Sequence, residues 1–311
     1  MNRRRIQLIA GTTYTLSLPK EWVRRNKLKE QDEILIDERG DGTLVLLPHS
    51  KEKRTGTDIT FQIDDFLDSI EQVLFSFYHL GFETITLWSK KEMPKATRAL
   101  IRKSITYMSG TEIVHEDEKK IIIKILLDKN RIDLTQVLYR MGLILQNSAA
   151  QLIGEIAIAD IRIGEQEIDR LYHLNAKVLS LALQDNTLLS TARIQHLGLI
   201  LLYSLINKKL ENIGDVISRL AEYLHDHKLH LEQKKDVQFI MAELDRSLKH
   251  VHSPFLMMSK DVILGLKEKL PECKDTTIRY HLSTLLRYVI DVQEEMVSVS
   301  FHQKLIHEKI I

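Results

Sequence analysis

The sequence predicts a multi-domain chain: a small β-rich domain, a short α/β segment, and an all-α remainder built as a pair of three-helix bundles. Three observations carry this. Apolar and polar residues alternate with period two in residues 1–50, helix and strand periods interleave over 57–128, and beyond about residue 132 apolar residues step by three and four with no strand signal. The boundaries that follow are 1–50, 57–128, 131–228 and 230–311.

A chain of 311 residues is long enough to bury a core in several domains. Its formal net charge of +1 excludes a chain that is polyanion-binding or acidic throughout. Residues 1–30 are an exception, with eight Lys or Arg against two acids. Cys273 stands alone, so an intrachain disulfide and a Cys-built zinc site are both excluded. That usage suits a reducing, cytoplasmic compartment. The longest apolar run, Leu197 to Ile206, falls short of the roughly 20 residues a membrane span requires, so no membrane insertion is expected.

In the first domain Tyr14, Leu16 and Leu18 alternate with Thr13, Thr15 and Ser17, which is the pattern of a half-buried strand. Pro19 is suited to open a short helix through Trp22 and Val23. Asp32 to Asp37 and Thr43 to Leu47 read as two further strands, and the Asp41-Gly42 pair between them signals a hairpin turn. About fifty residues make a marginal core, which favours oligomerisation.

The run Gly11-Thr12 through Leu18-Pro19-Lys20-Glu21-Trp22-Val23, followed by Leu28 to Ile34, resembles the AbrB/SpoVT swapped-hairpin family. Lys27 and Gln31 stand where that family usually has glycine. The resemblance implies a homodimer of interleaved hairpins that binds DNA through basic residues, here Arg3, Arg4, Arg5, Lys20, Arg24 and Arg25. Such residues neutralise phosphates and make affinity salt-dependent. A solvated basic face that binds nothing is the alternative.

Residues 49–56 read as a charged linker. After it come a strand near Ile59 to Ile63, a helix from Asp65 to Tyr78, a strand at Thr84 to Trp88, a helix from Lys95 to Tyr107, and strands at Glu112 to His115 and Lys120 to Leu127. No Gly-rich phosphate loop opens either helix. Six helices follow, at about 132–160, 165–184, 190–226, 232–251, 255–270 and 275–307.

Two carboxylate pairs, Glu165 with Asp169 and Glu211 with Asp215, are each spaced by four and so place like charges on one helix face. Helical geometry puts Glu211 and Asp215 opposite the apolar stripe of 210, 213, 217, 220 and 224, and Glu165 with Asp169 on the flank of theirs. A hard or borderline cation would offset the repulsion. The structural alternatives are a helix N-terminus after Gly164 that welcomes acids, and a Lys208–Glu211 ion pair.

Gly164-Glu165-Gln166-Glu167-Ile168-Asp169-Arg170-Leu171-Tyr172, with Leu210-Glu211-Asn212-Ile213-Gly214-Asp215, resembles the PhoU family of phosphate-uptake regulators. That resemblance implies tandem PhoU-like three-helix bundles and metal ions, iron or zinc, held by Glu165, Asp169, Glu211 and Asp215. Asp291 and Glu295 are the corresponding acids of the second bundle, in reversed order. Arginine is usual where Asn212 stands. The combined resemblance implies a regulator of phosphate uptake and homeostasis, or an adaptor docking on a phosphate transporter ATPase or sensor protein without DNA binding.

His225, His227 and His230 gather at a helix end, where the dipole favours them without any metal. Glu222 and His225 form half of a di-iron pattern whose second helical copy is missing. No nucleophile elbow, Walker loop or kinase set is present, so a non-enzymatic role is expected.

Overall fold

The computed structural model describes residues 3–38, 42–48, 58–154, 156–183, 185–249, 265–266, 268, 270–308 and 310. The linker at 49–56, the turn residues 39–41 and most of the helix expected at 255–270 lie outside the described residues. The chain divides into a small unit, Met1–Thr55, and a large one, Gly56–Ile310.

In the small unit β1 (Gln7–Ile9) pairs antiparallel with β2 (Thr13–Thr15), and β3 (Ile34–Glu38) with β4 (Leu44–Pro48). Helix α1 (Lys20–Arg25) lies between the hairpins, with Pro19 as its N-cap rather than its first residue. The chain leaves α1 through Lys27 at φ 52° and turns again through Gln31 at φ 72°, the left-handed region that favours glycine. None of the described residues here is buried. Ile6, Leu8, Tyr14, Leu16, Ile36 and Leu44 are each more than half exposed. Among its described residues a single copy of this unit therefore shows no buried core.

The large unit begins with an α/β layer. Strands β5 (Asp58–Gln62), β6 (Thr84–Trp88), β7 (Thr111–Glu116) and β8 (Lys120–Ile125) form one sheet in the order β5-β6-β8-β7, parallel only between β5 and β6. Helices α2 (Ile70–Leu80) and α3 (Lys95–Thr106) bury Leu74, Tyr78 and Ile101 with Ile85, Leu87, Ile121 and Ile123 of the sheet. Gly81 ends α2 at φ 88°, where a β-carbon would also meet the Leu181 side chain.

Helices α4 (Leu134–Ile153), α5 (Ile158–Ala182), α6 (Asn186–Thr191), α7 (Leu199–Asp226), α8 (Lys234–Lys249) and α9 (Thr276–His307) follow. Asp133 and Asp275 cap α4 and α9, each accepting two backbone N–H bonds. The helix expected at 190–226 is broken: Arg193 takes φ 57°, and α7 starts only after Gly198. The helices expected to form two bundles share one hydrophobic core, which runs from Ile132 to Val299. Helix α7 packs on both α5 and α9, and α4 packs on α8.

The α/β layer docks on the helices through α2 and α5. The Lys177 ammonium lies 4.3 Å from the Tyr78 ring centre, and His79 Nε2 is 3.1 Å from His173 Nδ1. Burial pushes His79 down to about 4 and His173 to about 3, so both rings are neutral at pH 7 and share one N–H···N bond.

Candidate metal centre

Helices α5 and α7 run antiparallel, and a buried amide pair sets their register. Asn175 Nδ2 donates to Asn207 Oδ1 across 2.9 Å, and Asn207 Nδ2 donates to the Tyr172 carbonyl at 3.0 Å. Nearer the site the helices approach closely, since a β-carbon on Gly214 would stand 3.1 Å from Ile168 Cδ1. A larger residue there would require the Ile168 side chain to give way.

This register brings Glu165, Asp169 and Asp215 together, each offering one carboxylate oxygen within 4.8 Å of the others. All three are partly buried. Burial raises Asp169 to about 7, with Glu165, Glu211 and Asp215 adding to the shift. Glu165 is raised as well, by burial first and then by Asp215 and Glu211, while a hydrogen bond with Asp169 opposes the rise. The cluster thus holds part of its charge as protons at neutral pH, and a cation would replace them.

Two of the acids already have cationic neighbours. Glu211 accepts from Lys208 Nζ at 2.6 Å, the pair the sequence allowed, and stands outside the three-acid group. Asp215 accepts from Arg219 at 2.6 Å. A cleft of about 380 Å³ opens beside the acids, lined by Glu165, Asp215, Arg162, Arg219, Lys103 and Tyr107. Tyr107 and Lys103 come from the α/β layer, and burial, Asp169 and Glu165 all raise the Tyr107 hydroxyl. Sequence periodicity gave no signal for either residue, because they reach the acids only through the docking of the α/β layer.

Two expectations about the acids are corrected. Glu211 and Asp215 do not face away from the core; their side chains are 15% and 28% exposed, on the flank of α7 that meets α5. The stripe of 210, 213, 217, 220 and 224 understates the buried sector, because α7 also buries Tyr203, Asn207, Gly214 and Ala221 between two neighbours. Glu165 is not at a helix start either, since α5 begins at Ile158 and Gly164 lies inside it, close to Ser148 of α4. The helix-terminus explanation of the acids therefore lapses.

Asp291 is bonded to Lys209 and joins no three-acid group among the described residues. Glu295 is raised by burial, Glu294 and Asp291. His225 and His227 bond to Asp226 and to the Tyr223 carbonyl respectively, and Glu222 accepts two bonds from Arg162 at 3.0 and 2.8 Å. Arg3, Arg4, Arg5, Lys20, Arg24 and Arg25 are all exposed in the small unit.

The family described as antidote-toxin recognition MazE, bacterial antitoxin, matches residues 7–54. The N-terminal region is thus similar to MazE/AbrB-like domains, and a helix-rich part follows it. No curated protein and no solved structure matches the chain. Among the described residues no helix is long and apolar enough to cross a membrane.

Proposed function

We propose that this chain is a dimeric, metal-binding regulator of phosphate uptake, which contacts DNA through its N-terminal domain and receives its signal in the helical part. The observation that carries the reading is the convergence of Glu165, Asp169 and Asp215 from two helices into one partly buried cluster. Three of the four acids that the PhoU resemblance names for the first bundle meet there. The match of residues 7–54 to MazE antitoxins supports a regulatory role, and the six exposed cations Arg3, Arg4, Arg5, Lys20, Arg24 and Arg25 supply a phosphate-binding face. The exposure of Ile6, Leu8, Tyr14, Leu16, Ile36 and Leu44 in one copy supports dimerisation through this domain, since a second copy would cover these apolar side chains.

The donor set is all oxygen, which suits hard or borderline cations and fits iron or zinc with carboxylate ligation. A second reading is a protein-binding adaptor or antitoxin without DNA contact, favoured by the recognition role in the matched family's description. Transcript levels of phosphate-uptake genes in cells lacking the chain decide between them. Derepression in high phosphate, restored by the intact chain but not by Arg24→Ala/Arg25→Ala, is the expected result. Unchanged transcripts would sink the phosphate reading.

A further inference from the structure

We propose that the exposed face of α3 is a second contact for the phosphate backbone of duplex DNA, separate from the N-terminal domain. The inference rests on the reading that this chain binds DNA, and adds a site that no resemblance assigns. Helix α3 carries Lys95, Arg98, Arg102 and Lys103 and no acidic residue. At about 100° per residue, Lys95, Arg102 and Lys103 fall on the side opposite the buried Thr97, Ile101 and Ser104. Those three cations are exposed, and Arg98 stands at the flank with its Nε buried and without a hydrogen-bond partner.

Among the described residues only Arg102 of these cations forms an ion pair, with Glu116 at 3.0 and 2.6 Å, while Lys103 also lines the acidic cleft. Lys95 sits in the first turn, which has no acid, so its charge opposes the helix dipole instead of complementing it. The residues between the cations, Ala99 and Thr106, are small and exposed, so the face is shallow and has no apolar anchor. A protein partner would need such an anchor for affinity. A nucleic-acid backbone needs only cations and donors on an accessible surface, which is what α3 presents.

The test uses the intact chain and a fluorescent duplex of about 30 base pairs, with affinity measured from about 50 to about 200 mM salt. Wild type, Lys95→Ala/Arg102→Ala, Arg24→Ala/Arg25→Ala and the combined variant are compared. Removing two phosphate contacts lowers the slope of log affinity against log salt by about 1.8 per chain, and that is the expected result for Lys95→Ala/Arg102→Ala. Both residues are exposed and neither lines the acidic cleft, and an unchanged circular dichroism melt verifies folding. An unchanged slope in this variant, with a reduced slope for Arg24→Ala/Arg25→Ala, overturns the α3 site and leaves the N-terminal one. The reverse pattern keeps α3 and removes the N-terminal site. No retardation of wild type at the lowest salt overturns both, and the α3 face is then a docking site for an acidic protein segment or a solvated surface.

Discussion

Asn175 on α5 and Asn207 on α7 bond side chain to side chain at 2.9 Å, both essentially excluded from water, about two turns from the carboxylates of Asp169 and Asp215. Buried amides of this kind cost free energy unless paired, so they penalise any register but the one observed. The bond is therefore a register pin for the acid cluster.

Replacing Asn207 by Leu removes the partner of Asn175 Nδ2, whose Oδ1 already lacks one. We expect a loss of about 1–3 kcal/mol, read as a lower urea midpoint at constant slope. A midpoint within error of wild type would show that the pair pins nothing.

The raised Asp169 gives the metal-free protein a pH dependence of known sign. Its folded value of about 7 lies above its unfolded value near 4, so the native state holds the extra proton between them. The stability this confers is fully present below about pH 4 and is lost as pH rises through about 7. The difference in melting temperature between wild type and Asp169→Asn should move in favour of the variant over that range in chelator. A pH-independent difference would contradict the strained cluster.

Metal content follows the geometry. Glu165→Ala/Asp215→Ala should lose the metal found by mass spectrometry of protein purified without chelator, whereas Asp291→Ala/Glu295→Ala should retain most of it. Metal at 100 times its dissociation constant should stabilise wild type by about 2.7 kcal/mol and leave the first variant unmoved. Equal stabilisation of both would place the metal elsewhere.

Lys27 and Gln31 adopt φ 52° and 72°, positions that glycine takes without a steric penalty. Lys27→Gly and Gln31→Gly should each stabilise the N-terminal unit, by about 1 kcal/mol, because relief of the left-handed strain exceeds glycine's larger entropy loss. Hydrogen exchange of the β1–β4 amides checks this, and faster exchange in either variant would refute it.

The two positions also show what was readable in advance. The sequence marks Lys27 and Gln31 as departures from a glycine pattern, and the backbone bends there as that pattern requires. The strand at Thr84 to Trp88 and the helix from Lys95 were legible because local periodicity reports burial on one face. The break between α6 and α7 was not, since Ala192 to Leu197 continues an apolar rhythm and only Arg193 in the left-handed region ends it.

By itself the sequence determined the order of strands and helices from residue 58 to residue 125, the basic character of the N-terminal residues and which four acids stand in pairs. Those properties are local, set by residue type and spacing along one strand or helix. The tertiary structure decided that Glu165, Asp169 and Asp215 meet while Glu211 turns to Lys208, and that Tyr107 and Lys103 of the α/β layer close the cleft. Distances between helices depend on packing: the close approach at Gly214, the Asn175–Asn207 register and the seating of α2 on α5 are long-range contacts that no periodicity along one segment encodes.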